Sequence, residues 1–298
     1  MGTSRIGVSG WSYDAWHGDF YPDDLSRSRE LEYASRRLST VEINGSFYSL
    51  QAPDTYRSWR EATPAGFRFA VKASRYITHS KRLKDARGAV ANFLASGVLA
   101  LGEKLGPVLW QLPERLEFEP ERMREFLDTL PHDTESAARL AEDHDPDVIG
   151  TALTEVEENH RLRHAIETRH PSFFSEAFVR IARDTGTAIV FADSGDWPYA
   201  EEITAGFVYL RLHGSPETYV SEYDADALDW WANRIRTWAD GAEPDDAERI
   251  TDRDPPPRKE RDVYVYFDND AAGHAPWDAL GLAARLGAGW DREDRGRP

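Results

Sequence analysis

Eight short apolar segments of this chain each run into polar or charged residues at their C-terminal ends. Those ends read Ser9-Gly10-Trp11, Glu42-Ile43-Asn44, Lys72, Gln111, Glu167-Thr168-Arg169, Asp193, Arg211-Leu212-His213 and Asp268-Asn269-Asp270. Strand-like segments that alternate with helical ones favour a parallel α/β fold. Eight such units favour a closed (β/α)8 TIM barrel over an open, doubly wound sheet. A barrel of this kind takes roughly 250 residues plus insertions, so residues 1–298 read as one domain. Chemistry in such a barrel sits at the strand C-termini and the loops after them, where these polar residues fall.

The strands are expected over residues 5–9, 40–44, 67–72, 107–112, 164–167, 187–192, 207–212 and 263–267. Helices are expected over 29–38, 53–63, 86–102, 120–130, 175–185, 224–239 and 276–286. Pro53 and Pro120 suit the first turn of a helix, and Gly186 suits a stop. Residues 132–163 are acidic, Ala-rich and partly helical in pattern, and they read as an insertion. Residues 240–262 are rich in Pro, Asp and Arg without periodicity, which reads as a mobile insertion. Residues 288–298 read as a frayed tail.

The chain holds 53 acidic and 36 basic residues, a net charge of −17, and only five lysines. An acidic surplus with so little Lys suits a halophilic surface, because salt screens the repulsion between carboxylates. The same balance argues against non-specific nucleic-acid binding through basic patches. The chain has no cysteine, which removes disulfides, thiolate metal sites and a Cys nucleophile. No apolar run approaches the ~20 residues of a membrane span, and the first residues lack a signal-peptide pattern. A cytoplasmic protein without a membrane partner is therefore expected. The turn after the first strand lacks G-x-G-x-x-G, so no nucleotide cofactor is expected.

Side chains alternate along a strand, so one parity faces the barrel interior and the other packs under the helices. That rule sends Val41, Ile43, Phe69, Val71, Val208, Leu210 and Leu212 outward. It sends Glu42, Asn44, Lys72, Gln111, Glu167, Arg169, Arg211, His213 and Asp268 toward one cavity, with Asp193 beside them. Burying so many charges is costly unless they pair or bind a ligand. One arrangement is a self-satisfied polar plug, with Lys72 and Arg211 set against Glu42 and Glu167. The other is a ligand site. Lys72, Arg169 and Arg211 are inward cations in an acidic chain and suit a phosphate or carboxylate. His79, His170 and His213 are further donors.

Three chemistries remain open at this point. Glu42 and Glu167 are candidates for an acid/base pair of the glycosidase type. Glu167, Asp193, His213 and Asp268 are candidate ligands for a divalent metal such as Mg, Mn or Zn. Trp11, Tyr13, Trp16, Phe47 and Tyr48 are candidates to stack a sugar or base, or simply to pack over the barrel mouth.

Several blocks together carry a resemblance. They are Gly7-Val8-Ser9-Gly10-Trp11-Ser12-Tyr13 with Trp16 and Phe20-Tyr21-Pro22, then Val41-Glu42-Ile43-Asn44 with Phe47-Tyr48. Phe69-Ala70-Val71-Lys72 with Ile77-Thr78-His79, Gln111-Leu112-Pro113, Glu167-Thr168-Arg169-His170, Arg211-Leu212-His213-Gly214 and Tyr264-Val265-Tyr266-Phe267 continue the series. The set resembles the YecE-like family (domain of unknown function 72) over nearly the whole chain. The resemblance implies a TIM barrel with these motif residues at its C-terminal face, and it implies no established reaction. The family more often has Thr where Ser46 stands, an aromatic where Thr168 stands and Trp where Phe173 stands. Those departures bear on the rim of the site more than on its charged centre.

The leading expectation is an enzyme, a hydrolase or a lyase/isomerase, acting on an anionic small molecule or a nucleic-acid fragment. Lys72, Arg169 and Arg211 would hold the anion, Glu42 or Glu167 would act as base, and His213 as acid or metal ligand. A glycosidase-like hydrolase and a non-catalytic ligand- or partner-binding protein are the alternatives.

Overall fold

The computed structural model describes residues 1–288. Its strands are β1 (Ser4–Ser9), β2 (Thr40–Ile43), β3 (Arg68–Lys72), β4 (Leu105–Gln111), β5 (His164–Glu167), β6 (Ala188–Ile189), β7 (Phe191–Asp193), β8 (Phe207–Leu212) and β9 (Asp262–Phe267). All pair in parallel in one sheet, in the order β6-β5-β4-β3-β2-β1-β9-β8-β7. The two ends of that sheet are consecutive in the chain. β6 pairs with β5 and β7 pairs with β8, and Val190 alone separates them. Its amide donates to Ile166 O at 3.0 Å. The single strand expected over 187–192 is therefore kinked at Val190, each half serving one neighbour, and this kink brings the sheet round into an α/β barrel.

The parity rule holds. Ile6, Val8, Val41, Ile43, Phe69, Val71, Leu210 and Leu212 join the large core between strands and helices. A second, separate cluster fills the barrel interior with Ala70, Leu109, Ala165, Phe207, Tyr209, Tyr264 and Tyr266. Small side chains from some strands and aromatic rings from others fill the taper, so the barrel is a packed core with polar groups above it.

The helices are α1 (Glu30–Ser35), α2 (Gly45–Tyr48), α3 (Pro53–Ala62), α4 (Arg87–Ala95), α5 (Pro120–Thr129), α6 (Thr134–Ala141), α7 (Glu176–Asp184), α8 (Ala225–Ala239) and α9 (Ala275–Leu286). Asp133, Ser175 and Asp224 cap α6, α7 and α8 by accepting from backbone amides of the first turn, which anchors otherwise unpaired donors. The helix expected over 86–102 stops early. Gly97 adopts φ +125°, and a Cβ there would lie 2.5 Å from Pro53 Cα. This close approach ends α4, and a 3-10 segment over Val98–Lys104 follows.

Residues 240–261 contain no helix or strand, yet they are tied down. Glu202 accepts from the amides of Ile250 and Thr251 and from the Thr251 hydroxyl, while buried Arg261 donates to Ala242 O and Pro256 O. The segment is an anchored strap on the barrel wall. The tail expected over 288–298 lies outside the described residues apart from Ala288. Among the described residues no helix is long and apolar enough to cross a membrane.

Candidate functional site

Arg211, on β8, is the centre of the polar layer above the barrel core. It is fully buried, and its guanidinium is saturated. Nη1 donates to Glu167 Oε2 at 2.7 Å and meets His213 Nε2 at 3.4 Å. Nη2 donates to Glu42 Oε1 at 2.9 Å, Asp268 Oδ2 at 2.8 Å and Ser9 Oγ at 3.2 Å. Nε donates to Glu42 Oε2 at 3.2 Å. Strand parity brings these groups together from β1, β2, β5 and β8 and from just past β9. Tyr209, two residues before Arg211 and so on the same face, donates its hydroxyl to Glu42 Oε2 at 2.6 Å. Ser9 Oγ donates to Glu42 Oε1 at 3.0 Å.

Burial alone would raise the pKa values of Glu167 and Asp268. The Arg211 guanidinium overrides it at both. Glu167 is held well below the carboxylate range, with help from Arg169 and His213, and Asp268 falls to about 2. Burial weighs against charge on Arg211 too, yet the carboxylates led by Asp268 and Glu42 hold its pKa well above the usual value. These geometries correct two expectations. Arg211 is a hub for three carboxylates and has no donor free for an anion. Glu42 spends both oxygens on Arg211, Tyr209 and Ser9, which leaves it a buried counter-ion with no lone pair turned to a reacting atom.

His213 stands at the edge of this layer, also buried. Its Nδ1 lies 3.0 Å from Asp268 Oδ2 and its Nε2 lies 4.0 Å from Glu167 Oε2. Trp197 meets its ring edge-on at 5.0 Å and Tyr219 at 5.4 Å. Arg169 stacks over Trp197 at 3.6 Å and donates to Glu167 Oε1 at 2.8 Å. Trp197 and Tyr219 come from loops after β7 and β8 that carry no periodic signal, and the sequence reading did not single them out.

Lys72 differs from the other cations. Its ammonium lies 4.5 Å from the Phe47 ring centroid, and it has no hydrogen bond or ion pair with a described residue. Burial, then the charge of Arg211, holds its pKa below the usual lysine value. His79 packs edge-on against the same Phe47 ring at 5.1 Å. Burial and the charges of Arg75, Lys72 and Arg169 depress the pKa of its imidazole, so His79 shares the field of Lys72 and Arg169.

Asp270, just past β9, is the group that sequence reasoning passed over. Both carboxyl oxygens are buried, and the polar group set beside them is the Tyr13 hydroxyl. Burial first, then the charge of Asp268, pushes its carboxyl well above the usual range. The Tyr13 hydroxyl shares that environment but donates to Ser9 O at 2.5 Å.

The remaining candidates hold the rim. Asn44 starts α2, and its Oδ1 is buried without a partner. Gln111 pairs in register with Glu167 and turns its amide back to Leu112 O at 2.6 Å. Trp11 packs against Trp59 at 5.3 Å. His170 caps a 3-10 turn by accepting from the Ser172 amide at 3.3 Å. Asp193 accepts from the Tyr223 hydroxyl at 2.7 Å.

The candidate metal ligands Glu167, Asp193, His213 and Asp268 do not form a ligand set. Among the described residues no three His, Asp or Glu side chains are gathered to hold an ion. Arg211 draws Glu167 and Asp268 to itself, and Tyr223 occupies Asp193.

The family model described as "Protein of unknown function DUF72" matches residues 5–297. Two solved structures share the fold over nearly the full chain. A DUF72 family protein from Thermotoga maritima MSB8 has a TM-score of 0.71 at 23% identity, covering 96% of this chain and 99% of that one. A DUF72 family protein from Enterococcus faecalis V583 has a TM-score of 0.68 at 17% identity, covering 97% of each chain. The UPF0759 protein YecE of Escherichia coli K12 is 28% identical over 174 residues, which is 57% of this chain and 50% of YecE. The UPF0759 protein YunF of Bacillus subtilis 168 is 32% identical over 77 residues, which is 26% of each. The matched part of this chain thus spans half the length of YecE and about a quarter of that of YunF.

Proposed function

This chain belongs to the DUF72 family of proteins of unknown function, and on that premise we propose that its barrel mouth binds a phosphate-bearing small molecule or nucleic-acid fragment and acts on it by proton transfer. Lys72 carries this reading. It is a mostly desolvated ammonium beside the Phe47 ring, with no counter-ion of its own and its charge opposed by Arg211. An anion placed there supplies the missing partner and gains more than it would in water. Arg169, held flat on Trp197, is the second contact for the anion. Arg211 fixes the positions of the carboxylates around it.

The acid and base follow from two carboxyls driven apart by their surroundings, a pattern that assigns proton donors and acceptors. Asp270 keeps its proton and serves as general acid. Asp268, ionised, gives one oxygen to Arg211 and sits 3.0 Å from His213, and its other oxygen serves as the base. A hydrolase and a lyase/isomerase both use such a pair. The glycosidase alternative is weaker, because both Glu42 and Glu167 are tied to one guanidinium by hydrogen bonds.

The test is Lys72→Met, measured by thermal shift and calorimetry in concentrated KCl against sugar phosphates, nucleotides, short DNA and neutral sugars. Wild type should respond to phosphorylated ligands, and the folded variant should lose at least about tenfold in affinity for them. Equal affinity in a folded Lys72→Met protein, or a response to neutral sugars alone, sinks the reading.

A further inference from the structure

The other end of the barrel carries a concentration of positive charge that the site above does not use. Arg5 on β1, Arg68 on β3 and Arg163 just before β5 all have the inward parity, on alternate strands at the N-terminal mouth. Arg5 Nη1 donates to Gly66 O at 2.9 Å, at the foot of β3. Arg5 is also in register with Tyr264, whose hydroxyl accepts from Arg163 Nη1 at 2.7 Å. Arg163 lies 5.5 Å from the Phe207 ring centroid at the foot of β8. Arg258 closes the arc: a Cβ added at Gly206 would lie 2.9 Å from its Nη2. Arg161 lies beside Arg163 and within the field of Arg258.

Counter-charge is scarce here, although the chain as a whole carries −17. Asp262 pairs with Arg163 at 2.7 Å. Nearby Glu103 is taken by Arg60 at 2.5 Å. Among the described residues Arg5, Arg68, Arg161 and Arg258 have no carboxylate within ion-pair distance. Burial, then Arg5, lowers the pKa of Arg68. Burial, then Arg163 and Arg258, lowers that of Arg161. Guanidinium groups converging without counter-ions repel one another, and an oxyanion with several acceptor oxygens relieves that repulsion through forked contacts.

We propose that this N-terminal mouth, ringed by Arg5, Arg68, Arg161, Arg163 and Arg258, is a second anion site for a compact dianion, either a free phosphate or the phosphate of a monoester. The packed layers of Tyr209, Tyr264 and Tyr266 separate it from the upper site, so its ligand shares no atoms with the reaction there. Its role is binding, and through binding stabilisation of the barrel.

The experiment uses the whole chain with Lys72→Met in place, which silences the upper site. Melting temperature and calorimetric affinity are followed as inorganic phosphate, or glucose 6-phosphate, replaces chloride at constant ionic strength. A saturable stabilisation by either ligand is expected, weakened about tenfold or more by Arg68→Gln and by Arg5→Gln. A response to inorganic phosphate alone identifies the free ion, and an equal response to the ester identifies the monoester. Without phosphate at low salt, Arg68→Gln should melt at or above its parent, because a repelling charge is gone. The proposal is overturned if phosphate stabilises no better than chloride, or if both variants keep the full response. It is also overturned if Arg68→Gln lowers the melting temperature equally with and without phosphate, which would make these arginines purely structural.

Discussion

Asp268 and Asp270 sit two residues apart after β9 and titrate in opposite directions. Arg211 and His213 outweigh burial at Asp268 and bring it to about 2. Burial and the charge of Asp268 keep Asp270 protonated well above the ordinary range. A carboxyl whose pKa is lowered in the folded state stabilises above its unfolded value, and that stability fades as pH falls toward the folded value. One whose pKa is raised stabilises below its unfolded value and loses that contribution as pH rises through the folded one. Asp268→Asn should therefore cost on the order of 2 kcal/mol near neutrality, and less as pH falls from about 4 toward 2. Asp270→Asn should behave oppositely, its melting temperature rising relative to wild type between pH ~4 and neutrality. Parallel pH profiles for the two variants would remove the acid and base assignment.

Arg211 forms ion pairs with Glu42, Glu167 and Asp268 at once. Arg211→Met leaves those carboxylates facing one another without the guanidinium they share, although Tyr209 and Ser9 still donate to Glu42 and Arg169 to Glu167. Removing one partner from a buried charge network costs roughly 3–5 kcal/mol, and three acceptors lose a donor here. Arg211→Lys restores the charge but lacks the planar fork that reaches partners on three other strands and the loop after β9, so it should recover only part of the loss. Chemical denaturation in high salt decides the matter. A Lys variant as stable as wild type would mean that charge alone matters at this position.

The barrel was legible because its signal is local. Val41 and Ile43 against Glu42, or Leu210 and Leu212 against Arg211, alternate with period two in a run of a few residues. The same alternation placed Glu42, Lys72, Glu167, Arg211 and Asp268 at one end. What their side chains do there was not legible, because it depends on pairings between strands far apart in sequence. Arg211 meets Glu42 across 169 positions, and nothing local distinguishes a guanidinium ringed by carboxylates from one such as Arg68, which donates only to a backbone oxygen among the described residues. Lys72 and Arg211 looked alike as inward cations. Three carboxylates occupy Arg211, while Lys72 has none. The kink at Val190 was hidden for the same reason, since it exists only to satisfy two neighbours at once. Asp270 was passed over because its proton is set by burial, which the loop sequence does not reveal.

Gly97 ties two helices to each other. Its φ of +125° lies in a region that L side chains rarely adopt, and its Cα faces Pro53 at the start of α3. Gly97→Ala therefore combines backbone strain with a steric clash. A loss of about 2–4 kcal/mol is expected, strain alone accounting for 1–3. The neighbouring Gly88→Ala change, where a Cβ meets nothing within 4 Å, should be neutral or slightly stabilising, since Gly88 lies inside α4. Paired denaturation curves for the two variants test this, and equal curves would show that the α3 contact gives way readily.

The net charge of −17 gives a prediction about salt that does not depend on any ligand. Exposed pairs such as Arg27 with Asp14, Arg57 with Asp54 and Arg87 with Asp143 weaken as salt screens them, but each contributes little at the surface. The unbalanced carboxylates repel over distances beyond these contacts, and salt screens that repulsion too. With a large excess of one sign, relief of repulsion should outweigh the lost pairs. The melting temperature should then rise on the order of 5 °C or more from low salt to molar KCl. Exchanging a few exposed, unpaired glutamates for lysine should flatten the curve and raise its low-salt end. A melting temperature that falls with KCl would mean that the surface pairs dominate, and the acidic surplus would then need an explanation other than high salt.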